Sequence, residues 1–127
     1  MRRIVLDMQN NLFADAVSRA LQNAGSDFQI QGSESPEDTA NLCRLFRPYA
    51  LLMEVTGYEP WRLEERMKIR NEVRQTNPDC KIVLMCDENT EKRLAEDIRQ
   101  AKKDGLIDQF IYGSISTSYL MAVMDTL

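Results

Sequence analysis

Two acidic side chains of this sequence each follow an apolar run. Asp7 directly follows the run 4–6, and Glu54 directly follows the run 49–53. If both runs are parallel strands of one sheet, their carboxyl ends meet at the same edge, and the two carboxylates face one crevice. Such a crevice suits a hard cation such as Mg²⁺, whose ligands are oxygen atoms, whereas two carboxylates without a cation repel each other. The spacing leaves a second interpretation open, in which both residues are solvated acids at loop ends.

The composition limits what else the chain can be. With 127 residues, of which 43% are hydrophobic and 28% charged, it is expected to form a single globular domain. A net charge of −4 provides no basic footprint for nucleic acid, and no run approaches the roughly 20 apolar residues that span a membrane. Histidine is absent, which excludes histidine-based triads, histidine metal sites and phosphohistidine on this chain.

The cysteine count bears on the cellular compartment. The three cysteines, Cys43, Cys80 and Cys86, contain no CxxC pair. The N-terminus is charged, and its apolar run is too short for a secretory signal. An odd number of cysteines without a signal peptide is typical of reduced thiols, so we expect a cytoplasmic protein.

The hydrophobic pattern alternates between short apolar runs and longer helical periodicities. The runs predict five strands, over 3–7, 28–31, 49–55, 81–86 and 107–112. Apolar residues at helical spacing predict five helices, over 11–24, 36–48, 61–76, 90–103 and in a closing segment that carries Leu120, Val123, Met124 and Leu127. Right-handed crossovers between parallel strands then place helices on both faces of one sheet.

The strand order follows from how apolar each run is. The first, third and fourth runs are continuously apolar, which is typical of interior strands. The second run alternates and the fifth is interrupted by Asp108 and Gln109, so we expect both at the edges. The order 2-1-3-4-5 meets these conditions and predicts an α/β fold, a flavodoxin-like doubly wound (βα)₅ three-layer sandwich. Its site lies where strands end, at Asp7, Met8, Glu54, Val55, Thr56, Cys86, Asp87, Tyr112 and Gly113.

The stretches 4–7, 49–55, 81–86 and 101–105, together with the order of elements, resemble the receiver domain of two-component response regulators over nearly the whole chain. The resemblance implies phosphoryl transfer from a phosphohistidine on a partner kinase to an aspartate at the end of the third strand. It implies that an acidic pair after the first strand holds Mg²⁺, and that a hydroxyl after the fourth strand and a lysine on the fifth bind the phosphoryl oxygens. An aromatic residue three positions before that lysine reports the state to a partner.

Most of these chemistry-bearing positions are substituted here. The phosphoacceptor position falls on Glu54, whose additional methylene displaces the carboxylate. The acidic pair becomes Asp7 with Met8, and methionine is a poor Mg²⁺ ligand. The hydroxyl position falls on Cys86, a weak hydrogen-bond donor, and the lysine position falls on Tyr112, which supplies no cation.

Two further positions depart from the family pattern. The proline that follows the lysine is Gly113, and the aromatic reporter falls on Gln109 with Phe110 beside it, so we assign Gln109 and Phe110 to a partner surface. We therefore infer a degenerate receiver, which is not an enzyme, is not phosphorylated and needs no cofactor. Asp7 and Glu54 remain weak candidates for Mg²⁺ ligands.

Without phosphoryl chemistry, function is expected to lie in a surface that docks proteins. The resemblance implies docking or dimerisation through the fourth helix, fifth strand and fifth helix, here 90–127, whose side chains carry charges of both signs. We expect a protein partner, a second copy of the chain, or an output domain beyond residue 127. A plainer interpretation is a solvated helix face with ordinary ion pairs.

The residues leave three other functions to consider. Glu54 with Asp7 and Asp87 around Mg²⁺ would form a divergent but active phosphoacceptor. Alternatively, Glu54 would imitate a phosphorylated acceptor permanently, although its single charge is smaller than that of a phosphate. A flavin or nucleotide binder is disfavoured, because the loop 7–11 contains neither glycine nor hydroxyl side chains to meet a phosphate.

Overall fold

A computed structural model describes residues 2–23, 27–86, 92–112 and 117–127, in which strands and helices alternate. The strands are β1 (Arg2–Asp7), β2 (Phe28–Gly32), β3 (Ala50–Glu54), β4 (Lys81–Cys86) and β5 (Gln109–Tyr112). The helices are α1 (Asn11–Asn23), α2 (Pro36–Phe46), α3 (Leu63–Thr76), α4 (Lys92–Lys103) and α5 (Thr117–Asp125). In the part of the chain that the structure describes, no helix has the length and apolar character of a membrane-spanning segment.

The five strands form one parallel sheet in the order β2-β1-β3-β4-β5, which confirms the predicted fold. β1 and β3 are neighbours, and Asp7 is paired with Met53, one residue before Glu54. The last residues of both strands therefore lie next to each other at the carboxyl edge. This register brings the two predicted acids to one place.

Two apolar layers cover the two faces of the sheet. Ile4 and Leu6 of β1 belong to the layer under α1 and α5, whereas Val5 between them belongs to the layer under α2, α3 and α4. Leu51 and Leu52 of β3 are likewise divided between the layers, and both are fully buried. Burial of one such leucine contributes about 1.5–3 kcal/mol relative to exposure, so the central strands anchor the site.

All three cysteines are buried, and none of them forms a disulfide bond. Burial raises the pKa of the Cys43 and Cys80 thiols to about 12. Since the thiolate is the reactive form, neither thiol is poised to act as a nucleophile or metal ligand near neutral pH.

Several element ends differ from the predicted ones. β5 begins at Gln109 instead of 107, because the Asp108 side chain, and not a main-chain carbonyl, accepts from β4. The N–H of Asp108 donates to the Ile82 carbonyl at 2.8 Å, but the N–H of Ile82 donates to Asp108 Oδ2 at 2.7 Å. α3 begins at Leu63 instead of 61, because the N–H of Thr56 donates to the Trp61 carbonyl at 2.9 Å and closes the preceding loop. The predicted helix limits at residues 24 and 90 lie outside the described residues.

Candidate functional site

Asp7, the last residue of β1, is buried, with 1% of its surface exposed. Its Oδ2 atom accepts a hydrogen bond of 2.5 Å from the Thr39 hydroxyl of α2 and another of 2.7 Å from Nη1 of Arg66 on α3. Thr39 is fully buried as well, and its hydroxyl oxygen lies 2.7 Å from that of Ser33. A carboxylate withdrawn from water needs such partners. The interpretation of Asp7 as a solvated acid at a loop end is therefore wrong.

The Arg66 side chain is fully buried and meets three oxygen atoms at the ends of β1 and β3. Besides the contact with Asp7 Oδ2, Nη2 donates to the Asp7 carbonyl at 3.1 Å and Nε donates to the Glu54 carbonyl at 2.7 Å. Burial lowers the pKa of Arg66 and the Asp7 carboxylate opposes that effect, while the guanidinium stays protonated. Arg66 thus links two adjacent strand ends and supplies the positive charge beside Asp7.

Arg66 is not among the site residues predicted from the sequence. Its position on α3 contained a signal, because Arg66 follows Leu63 by three residues and precedes Ile69 by three. Residues three apart on a helix share one face, and here that face is apolar and turned to the sheet. A charged residue on a buried face needs an opposite charge nearby, and Asp7 was the acid already placed at that edge.

Glu54, the last residue of β3, is half-buried, and its side chain faces the loop between β1 and α1. Its Oε1 atom accepts hydrogen bonds from the main-chain N–H groups of Gln9 at 2.7 Å and Asn10 at 3.1 Å. Asn10 in turn caps α1, since its Oδ1 accepts from the N–H of Phe13 at 3.0 Å. A carboxylate beside these N–H groups and the start of a helix is electrostatically favourable. Glu54 therefore stabilises the loop that begins α1.

An open groove of about 1310 Å³ lies above the strand ends, between the loop after β3, α3 and α4. Glu54 and Thr56 line it at one side, and Met67 and Leu94 provide apolar surface on the helices. The Thr56 hydroxyl accepts a hydrogen bond from the N–H of Tyr58 at 3.1 Å, which orders the loop. Asp7 and Arg66 are not among the groove-lining residues, so their ion pair lies beneath it.

Other predicted pocket residues have different surroundings. Met8 is buried in the apolar layer under α1 and α5, and Cys86 is fully buried in the opposite layer. Val55 is also a core residue. Asp87 and Gly113 lie outside the described residues. Met8 and Cys86, which the sequence predicts in the pocket, therefore pack in the core instead.

Tyr112, at the predicted lysine position, contacts α4. Its hydroxyl accepts a hydrogen bond from Arg99, and its ring meets that of Phe110 edge-on with 4.8 Å between centroids. The Arg99 guanidinium also lies 5.9 Å from the Phe110 ring centroid and 5.7 Å from that of Tyr112. Gln109 accepts a hydrogen bond from Nζ of Lys102, also on α4, at 2.7 Å. These contacts join β5 to α4, and the Tyr112 side chain packs against α4.

The comparisons with known proteins bear on the fold. No family model and no curated protein matches this chain. A CheY-like response regulator receiver domain protein from Methanospirillum hungatei JF-1 matches with a TM-score of 0.77 and 10% identity, over 99% of this chain and 92% of that one. The chain has the receiver fold.

Two further solved structures share the receiver fold. The signal receiver domain of the response regulator NarL from Mycobacterium tuberculosis has a TM-score of 0.73 and 20% identity, over 98% of this chain and 94% of that one. A LuxR-family DNA-binding response regulator from Staphylococcus aureus has a TM-score of 0.75 and 13% identity, over 99% and 98%. The structural likeness establishes the receiver fold. At such low sequence identities it says nothing about the site, whose chemistry depends on the residues of this chain.

The receiver fold implies Mg²⁺, and the described residues do not fit that ion. Among them, no group of three or more cysteine and acidic side chains is arranged to hold a metal. Asp7 Oδ2 is already shared by Arg66 and Thr39, and Glu54 Oε1 by two main-chain N–H groups. A divalent cation beside Asp7 would also be repelled by the guanidinium. We therefore derive no chemical step through a metal ion at this edge.

Proposed function

We propose that the chain is a receiver-like signalling domain of two-component signal transduction that acts through protein–protein interaction without phosphorylation. The observation that carries the proposal is that both strand-end carboxylates are engaged within the chain. Asp7 is bound by Arg66 and Thr39, and Glu54 is bound by the loop N–H groups of Gln9 and Asn10. One oxygen of each carboxylate is therefore already hydrogen-bonded within the chain, which disfavours its use by a metal or a phosphoryl donor.

The geometry of Glu54 argues against phosphoryl transfer in a second way. An acceptor must approach the donor in line, and a misplacement near 1 Å can cost roughly 100-fold in rate. Glu54 has one methylene more than aspartate, and the bonds to Gln9 and Asn10 direct Oε1 toward the β1–α1 loop. Attack by Oε1 would break the contacts that stabilise the loop.

The proposed docking surface is formed by α4 and β5. Arg99, Phe110 and Tyr112 form a joined cation–aromatic cluster there, and Gln109 with Lys102 provides polar contacts beside it. A protein partner that presents acidic and apolar groups would complement it. We include a second copy of the chain and an output domain among such partners. The Staphylococcus aureus structure of this fold is described as a DNA-binding response regulator, which is in keeping with an output domain.

Treatment with acetyl phosphate and Mg²⁺, followed by intact mass measurement, tests the absence of phosphorylation. We expect no increase by the mass of one phosphoryl group, because Glu54 and Asp7 are held by internal contacts. A receiver domain with an aspartate acceptor, treated in parallel, serves as the positive control. An adduct that appears on the wild-type protein and is lost in Glu54→Gln would overturn the proposal in favour of an active phosphoacceptor.

A further inference from the structure

We propose that Arg66 is the resident cation of this site, a side chain of the protein that takes the place of a divalent metal ion. The inference rests on the proposed function and adds how the site is held together. The guanidinium contacts one carboxylate oxygen, Asp7 Oδ2, and two carbonyl oxygens, those of Asp7 and Glu54. Carboxylate and carbonyl oxygens are also the ligands that hard cations take. Arg66 therefore uses the same class of oxygen donors that a metal would use.

The burial of Arg66 supports a specific role for its charge. A charged group fully withdrawn from water is unfavourable unless its donors are met and an opposite charge is close. Each of Nε, Nη1 and Nη2 meets an oxygen, and the ion pair with Asp7 Oδ2 is 2.7 Å long. Because the cation is covalently attached, the ends of β1 and β3 stay joined at any concentration of divalent ions.

If Arg66 replaces a metal ion, its removal has an effect that the removal of a merely space-filling side chain would not have. Truncation of Arg66 to alanine leaves Asp7 Oδ2 and the two carbonyl oxygens facing the vacated volume. A divalent cation can then enter and restore the missing charge. Replacement of Arg66 by methionine removes the same charge but fills much of that volume with an apolar chain, so it should leave no room for the ion.

Thermal unfolding of the full chain with and without Mg²⁺ or Mn²⁺ tests the inference. Fluorescence of Trp61, in the loop before α3, provides a second readout. Wild-type protein is expected to show no change in Tm or in fluorescence with either ion. Arg66→Ala is expected to unfold at a lower temperature and to regain at least about 3 °C in millimolar Mg²⁺ or Mn²⁺. Arg66→Met and the double variant Asp7→Asn/Arg66→Ala are expected to show no increase in Tm when either ion is added.

The outcomes separate this inference from the proposed function. An increase in the wild-type Tm with Mg²⁺ overturns the inference even if Arg66→Ala does not fold. A folded Arg66→Ala that gains nothing from either ion, or an equal gain in Arg66→Met, also overturns it, while the absence of a phosphoryl adduct on wild type would still support the proposed function. An adduct on wild type would overturn the proposed function itself.

Discussion

Replacement of Asp7 by asparagine is expected to lower the free energy of unfolding by about 3–5 kcal/mol, the cost of breaking a buried ion pair from one side. Asparagine has nearly the same shape as aspartate, so the change removes the charge and little else. The guanidinium of Arg66, which has no exposed surface, would then lose its counter-ion. Urea denaturation at neutral pH measures the loss, and an unchanged m-value identifies it as a change in stability.

The matched control for this prediction is Asp79→Asn. Asp79 lies in the exposed turn after α3, and substitutions at such positions usually change stability by no more than about 0.5 kcal/mol. If Asp7→Asn were no more destabilising than Asp79→Asn, the Arg66–Asp7 pair would not hold the strand ends together, and the site would need another account.

Thr39→Val is expected to cost about 1.5–3 kcal/mol, because a hydrogen bond to a buried charged group is among the stronger kinds. Valine has the same shape as threonine but cannot donate to Asp7 Oδ2, and it leaves the Ser33 hydroxyl without the Thr39 oxygen. In the Asp7→Asn background the same substitution should cost less, since the charge that Thr39 serves has been removed. A double-mutant cycle in urea measures this coupling.

Thr76→Val provides the control for the loss of a threonine hydroxyl. Thr76 is exposed at the end of α3, and its hydroxyl makes only a long 3.4 Å hydrogen bond to the Val73 carbonyl. We expect a change within about 0.5 kcal/mol for it. If Thr39→Val lowers the free energy of unfolding equally in the wild-type and Asp7→Asn backgrounds, Thr39 acts independently of the carboxylate.

The sequence was sufficient for the fold because the strands differ in where their apolar residues lie. Continuous runs identified β1, β3 and β4 as interior strands, and the alternation of β2 identified an edge. Once the order was known, the parallel register placed Asp7 and Glu54 at the same edge. Strand order and parallel register are enough to place these residues, and neither requires knowledge of side-chain contacts.

The partners of the acids were less predictable, because they depend on side-chain direction. Arg66 was overlooked since arginine is ordinarily exposed, although its spacing from Leu63 and Ile69 indicated a buried face. For Thr39, the sequence did not show that a carboxylate would lie opposite its hydroxyl. For Glu54, nothing in the spacing indicated that its longer side chain would reach the main chain of the β1–α1 loop.

Strand parity indicates which helix Tyr112 contacts. Side chains two residues apart on a strand share a face, so Tyr112 must share the face of Phe110. Both rings contact Arg99 of α4. The alternation of β5 therefore directs Tyr112 toward α4, the helix that also borders the groove through Leu94 and Asp97.

The measurement that tests the account most directly is a crystal structure of the wild-type protein grown in excess MnCl₂, with anomalous diffraction to locate the metal. The account predicts no anomalous peak between Asp7 and Glu54, and a guanidinium of Arg66 bonded to Asp7 Oδ2 and to the two carbonyl oxygens. A manganese ion between the two carboxylates, with Arg66 displaced from Asp7, would contradict it.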